Sequence, residues 1–213
     1  MNSTTPRRVG TASQTLNRRR HFLVNTAGLA GCLVALSAHG SELTPPRQTP
    51  HNKGRRLFTK VVQVAMVVTS VEASVRRYWE DLGVGPWKLY TLNPSNTSDM
   101  TFHGRPVQHS FRAALANIGD IEWELIEPLD NRSVYAEHLS THGEGLHHVA
   151  FDVEDFEEAT KELTSKGYET VQSGRIFGND TYAYFKLNRG LACTAELNSN
   201  PTAPLPAPES TYP

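Results

Sequence analysis

Two stretches of this 213-residue chain, Gln63-Val64-Ala65-Met66-Val67-Val68 and His148-Val149-Ala150-Phe151-Asp152-Val153, repeat one another 85 positions apart. Gln63 corresponds to His148, Val64 to Val149, Ala65 to Ala150 and Val68 to Val153. The residues downstream of each stretch repeat too. After the β-branched run Val61–Val68, Ser70 stands as a helix N-cap, Val71, Val75, Tyr78, Trp79 and Leu82 recur at helical spacing, and Gly83 supplies the stop. After His148–Val153, Asp155 with Glu158 forms a capping box, Phe156, Ala159 and Leu163 make an apolar stripe, and Gly167 ends the helix. Short strand-like stretches come next: Trp87–Leu92, Ser110–Ala116 and Ile121–Ile126 in the first half, Glu169–Val171, Thr181–Leu187 and Ala192–Leu197 in the second. The expected fold class is therefore α+β: two βαβββ modules forming one curled mixed sheet around a central cleft.

The repeat occupies only part of the chain. Residues 60–198 form the expected domain, with modules at about 60–128 and 145–198, and roughly 140 residues suffice for one core. No Asp or Glu precedes Glu42, whereas Arg7, Arg8, Arg18, Arg19 and Arg20 come before a modestly apolar run from Phe22 to Ala38. That layout marks residues 1–40 as a targeting segment. Arg19-Arg20-His21-Phe22-Leu23 resembles a twin-arginine export signal, which implies an exported, periplasmic protein; a mitochondrial presequence is the alternative. Leu29-Ala30-Gly31-Cys32 resembles a lipobox, so Cys32 is a candidate membrane anchor if lipidated. Residues 41–59 read as linker, and the Pro-rich residues 199–213 as a loose tail.

Composition narrows the function. With 38% hydrophobic residues, 20% charged residues, a net charge of −1 and no basic stripe in the folded part, a nucleic-acid partner is not expected. Outside the leader the sole cysteine is Cys193, so the domain must hold without an internal disulfide. Gly143 and Gly145 precede a strand rather than a helix, which removes a phosphate-cradling reading.

The arrangement and its local sequences resemble the vicinal oxygen chelate superfamily, the glyoxalase, bleomycin-resistance and dioxygenase fold group. Glu124-Leu125-Ile126-Glu127-Pro128-Leu129 and the run from His142 to Phe151 are similar to methylmalonyl-CoA epimerases, and Leu82-Gly83-Val84-Gly85-Pro86-Trp87 is shared with many glyoxalase-like proteins. In that superfamily the first and last strands of each module carry metal ligands, which implies Gln63 and Glu124 from the first half, His148 and Glu196 from the second. The epimerases place His where Gln63 stands; Gln, Glu, His and Glu together resemble the ligand set of glyoxalase I. Strand alternation is compatible with these positions: Gln63 shares a face with Ala65 and Val67, His148 with Ala150 and Asp152, and Glu196 with Thr194, while His147 should point the other way.

One imidazole, one amide oxygen and two carboxylates make a hard, oxygen-rich set suited to one divalent ion: Zn, Ni, Co, Mn or Mg. Such an ion polarises a carbonyl or its enolate, and a neighbouring carboxylate, Glu124 or Glu196, takes the adjacent proton. The resemblance thus implies a metal-dependent isomerase, epimerase or lyase acting on a small carbonyl substrate, with a homodimer compatible with the fold. A metal-free small-molecule-binding or resistance-type protein and a mitochondrial methylmalonyl-CoA epimerase are the alternatives. His109 is a minor candidate acid, read as a surface residue. His138, His142 and His147 are read as part of a loop before a strand, and Trp79, Trp87 and Trp123 as core or cleft wall.

Overall fold

The computed structural model describes residues 56–188, 190–199 and 204–213. The twin-arginine-like leader, Cys32 and nearly all of the expected linker lie outside the described residues. Among the described residues no helix is long and apolar enough to cross a membrane.

The first half comprises β1 (Lys60–Val67), α1 (Val71–Leu82), β2 (Trp87–Leu92), β3 (Thr97–Phe102), β4 (Arg105–Pro106), β5 (Phe111–Ile118) and β6 (Ile121–Pro128). Helix α2 (Val134–His142) leads into the second half: β7 (Gly145–Asp152), α3 (Phe156–Ser165), β8 (Glu169–Ile176), β9 (Asp180–Leu187) and β10 (Cys193–Asn198). The chain closes with β11 (Ser210–Tyr212). Among the described residues the eleven strands join one sheet in the order β11-β2-β5-β6-β1-β7-β10-β9-β8-β3-β4. Within it, β1-β6-β5-β2 and β7-β10-β9-β8 are the same module written twice, and β1 lies antiparallel to β7 at the centre.

The expected curled sheet is an open one, because its edges, β11 and β4, do not pair with each other. One cluster of buried side chains nevertheless draws Tyr90 and Leu92 of β2, Ala65 and Val67 of β1, Ile126 of β6, Val171 of β8 and Tyr182 and Tyr184 of β9 onto a common face, capped by Val134 and Tyr135 of α2. The opposite face carries two separate clusters, one under α1 (Val71, Val75, Trp87, Leu125) and one under α3 (Ala159, Leu163, Phe185, Leu197). Period-two alternation produces this division: Met66 and Leu125 face α1, whereas Ala65, Val67 and Ile126 face the other way.

The helix ends obey their local residues. Ser70 Oγ accepts from Ala73 N at 3.3 Å, Asp155 Oδ1 accepts from Glu158 N at 2.9 Å, and Gly83 turns out of α1 at φ 67°, a left-handed conformation that a Cβ disfavours.

Four elements depart from the sequence reading. The β3–β4 hairpin was not expected; it turns through His103 and Gly104, both at positive φ, and docks on β8 of the other half. His138 and His142 lie on α2 and not in a loop, since Ser133 caps a helix there that lacks a strong apolar stripe. Strand β8 runs on to Ile176, five residues past the expected end. Residues 204–213 are not loose: Ser210, Thr211 and Tyr212 pair with Leu89, Lys88 and Trp87, while Glu209 accepts hydrogen bonds from the Thr91 backbone and hydroxyl at 3.1 and 2.9 Å.

Candidate metal centre

The register at the sheet centre sets the site. Ala65 of β1 lies opposite Glu124 of β6 on one side and His148 of β7 on the other. Two residues away, Gln63 lies opposite Glu122 and Ala150, and Ala150 in turn lies opposite Glu196 of β10. Long polar side chains thus alternate with alanines across four neighbouring strands, and all belong to the face that holds the tyrosine-rich cluster. The short alanines leave room for their neighbours to lean together.

They do so around His148 Nε2. Glu196 Oε2 stands 2.7 Å away, Gln63 Oε1 3.3 Å and Glu124 Oε2 3.6 Å. Glu124, His148 and Glu196 are all buried, and ligand atoms of these three lie within 4.8 Å of one another. Gln63, the fourth expected residue, is half-buried and presents its carbonyl oxygen inward because its amide donates to Glu122 Oε1 at 2.8 Å. The structure therefore brings together all four residues that the family resemblance implied.

Three oxygens around one imidazole nitrogen are unfavourable without a proton or a cation among them. Glu196 Oε2 is buried and, despite its proximity to His148, makes no aligned hydrogen bond among the described residues. The protonation preferences agree. Burial pushes the Glu124 carboxyl well up, aided by repulsion from Glu196, Glu122 and Asp180, and burial pushes Glu196 well up, aided by Asp180 and Glu122. Burial likewise drives His148 down to about 3, so its ring is neutral and available as a ligand. The donor set of one neutral imidazole, one amide oxygen and two carboxylates fits a divalent cation, whose charge would relieve the carboxylate repulsion.

Sequence reasoning missed two residues here. Glu122 orients Gln63 and adds to the repulsion on both ligand carboxylates; its signal was the spacing Glu122-Trp123-Glu124, which puts both acids on one face. Asp180, at the start of β9, is pushed up to about 6 by burial and by Glu122. Its loop-edge position offered no sequence signal.

Two further expectations change. His147 does not point away from His148. Between Ala65 and Met66 the β1–β7 register skips a residue, so His147 is the extra residue of a bulge, and its Nδ1 lies 2.9 Å from His148 Nδ1. His109 is not at the surface but fully buried against Phe111 and Tyr135, and neither ring nitrogen has a hydrogen-bond partner among the described residues. Trp87 is core, donating to the Val84 carbonyl at 2.7 Å, Trp123 packs beside it, and Trp79 is 39% exposed.

Residues 62–185 match the family model of the Glyoxalase/Bleomycin resistance protein/Dioxygenase superfamily. The chain belongs to this superfamily. Among solved structures it is similar to methylmalonyl-CoA epimerase from Mycobacterium tuberculosis, at 22% identity and a TM-score of 0.53, over 70% of this chain and 92% of that one. A hypothetical protein from Bacillus halodurans C-125 matches at 22% identity and a TM-score of 0.54, over 69% of this chain and 98% of that one. A variant of methylmalonyl-CoA epimerase from Streptomyces coelicolor, in complex with 2-nitronate-propionyl-CoA, matches at 18% identity and a TM-score of 0.52, over 70% and 99% of the two chains. At these identities the likeness is one of fold. No curated protein matches the sequence.

Proposed function

We propose that this protein is a metal-dependent enzyme of the glyoxalase and epimerase type that removes a proton from the carbon next to a carbonyl. The carrying observation is the convergence of Gln63, Glu124 and Glu196 on His148 Nε2, two residues from each half of the repeat. The superfamily membership and the epimerases among its structural neighbours support the reading. A divalent ion held by these four residues would supply Lewis-acid polarisation of the substrate carbonyl.

The protein's own residues perform the proton transfer. Glu124 projects from β6 and Glu196 from β10, strands that flank β1 and β7 on opposite sides. A substrate carbon between them meets a carboxylate from each half. One takes the proton as its carbon–hydrogen electron pair moves toward the carbonyl oxygen; return of a proton to the neighbouring carbon gives isomerisation, and return to the same carbon from the opposite carboxyl gives epimerisation. Burial biases both carboxyls toward the protonated form, which suits groups that must take up and hold a proton. Export through the twin-arginine-like leader remains part of this proposal and places the substrate outside the cytoplasm.

The test uses the purified full chain, prepared without chelator, and its Glu124→Ala and His148→Ala variants. Elemental analysis should find about one equivalent of divalent metal in the parent and far less in either variant. Candidate 2-oxo acids, hemithioacetals and acyl thioesters in deuterated water should exchange their α-proton only with the loaded parent. A parent that takes up none of Zn, Ni, Co, Mn or Mg overturns the reading and leaves a metal-free binding protein.

A further inference from the structure

Helix α2 carries two histidines one turn apart, His138 and His142, a spacing that puts both on one face. Their rings lie nearly parallel, at 26°, with centroids 5.0 Å apart. Both line a cavity of about 500 Å³ that His103, Glu137, His147 and His148 also border. His138 is half-buried and His142 exposed, so the pair reaches from the cavity to solvent. The proton transfer proposed above uses neither ring.

The hydrogen bonds of Thr141 fix which nitrogen of His142 is free. Thr141 Oγ1 donates to the Glu137 carbonyl at 2.7 Å, with a longer contact to the His138 carbonyl at 3.4 Å. Carbonyls only accept, so the single hydroxyl proton is committed to them. The same oxygen lies 2.7 Å from His142 Nδ1, and with no proton left to give it accepts one there. A neutral His142 therefore carries its proton on Nδ1 and keeps a bare lone pair on Nε2. His138 is neutral too in neutral solution, because burial, and after it the neighbouring His142, lower its pKa. Glu137, the sole carboxylate of α2, is turned to His103, whose Nε2 lies 2.8 Å from Glu137 Oε2. Among the described residues neither His138 nor His142 has a carboxylate partner.

Two neutral imidazoles at this helical spacing can hold one ion between them, as paired helical histidines hold zinc. Each nitrogen would stand about 2.0–2.1 Å from the ion. We propose that His138 and His142 form a second transition-metal site, separate from the buried centre, with water completing its coordination. Imidazole suits copper, nickel and zinc, whereas magnesium and manganese favour the oxygen-rich centre. Among the described residues only Glu124, His148 and Glu196 bring three acidic or histidine ligands together, so the helix site is the weaker one and exchanges its ion with solvent. It does not depend on the buried centre being occupied. An ion held there shares the cavity that His148 borders.

The experiment is NMR of the metal-stripped full chain labelled with 15N-histidine, first without metal and then titrated with nickel. Long-range nitrogen–proton correlations should show His142 as the Nδ1–H tautomer before any nickel is added. Nickel should then broaden the ring signals of His138 and His142 together. His142→Ala keeps a strong helix former at the exposed end of α2 and should abolish the response of His138. Thr141→Val removes the acceptor behind His142 Nδ1 and should weaken nickel binding at the pair about 10-fold, and Thr141→Ser should restore it. A His142 protonated on Nε2, a pair left unperturbed in excess nickel, or a His138 that responds equally in His142→Ala overturns the proposal. Nickel at the pair with no response at His148 upholds this site and counts against the buried centre, whereas a response at His148 alone overturns this site and leaves the centre standing.

Discussion

Ala65 and Ala150 contribute no ligand, yet both are fully buried at the centre of the site, in register between Glu124 and His148 and between Gln63 and Glu196. A longer side chain at either position would occupy the space into which the ligands lean. Ala65→Leu should destabilise the protein by roughly 1–3 kcal/mol through overpacking and abolish metal uptake although all four ligands remain; thermal melts and elemental analysis of the same sample check both parts. The buried acids make a second prediction at this scale. Glu124 and Glu196 have folded-state pKa values raised above those of the unfolded chain, so the metal-free protein holds their protons longer when folded and loses stability as pH rises from about the usual carboxylate value through the raised ones. His148 acts in the opposite sense: lowered to about 3 in the fold, it costs stability below the ordinary histidine pKa, and that cost disappears as pH rises through it. At pH 8 metal-free Glu196→Gln should therefore melt above metal-free wild type, with the gap closing near pH 4; in saturating zinc the order should invert, because the variant has lost a ligand.

At the scale of elements, what was legible in the sequence depended on how local its cause was. The α1 and α3 boundaries follow from Ser70, Gly83 and Asp155, whose side chains or missing Cβ act within a turn of their own position. Strands β1, β6, β7 and β10 could be placed because the repeat supplies each twice, and the four ligand positions followed from the family resemblance applied to those strands. Helix α2 was hidden because only Val134 and Tyr135 are buried and the rest of it faces outward or toward the histidine cluster. The inward turn of His147 was hidden for a different reason: a bulge is a relation between two strands, and the sequence of one strand does not record it. Strand β11 was concealed by the prolines before it; its partner, Trp87, lies far away in sequence. Two predictions belong here. Gln172→Leu removes the buried acceptor of the first α2 N–H, Val134 N to Gln172 Oε1 at 3.0 Å, and should cost about 1–3 kcal/mol in denaturant melts. Deleting residues 209–213 should uncover Trp87 and the β2 edge, seen as a red-shifted tryptophan emission and as self-association in sedimentation velocity.

For the molecule as a whole, the four candidate donors are divided between the halves of the repeat: Gln63 and Glu124 come from one module, His148 and Glu196 from the other, and β1 and β7 join the modules at the sheet centre. A bound ion would act as a tie across that seam, and because an unfolded chain cannot assemble the four donors, its binding free energy adds to the stability of the fold. Saturation at 100 times the dissociation constant is worth about 2.7 kcal/mol. Zinc should therefore raise the melting temperature of the full chain and chelator should reverse it. The tie makes a sharper demand on paired substitutions. Glu124→Ala and His148→Ala lie in different halves, but in zinc either one removes much of the same binding free energy, so the double variant should be markedly less destabilised than the sum of the singles. The non-additivity should fall within about 0.5–3 kcal/mol. In chelator the ion is gone and the same cycle should retain only the smaller coupling of two neighbouring side chains. Denaturant melts of the four proteins under both conditions measure it, and equal coupling with and without zinc would mean that the two halves are held by their strands alone.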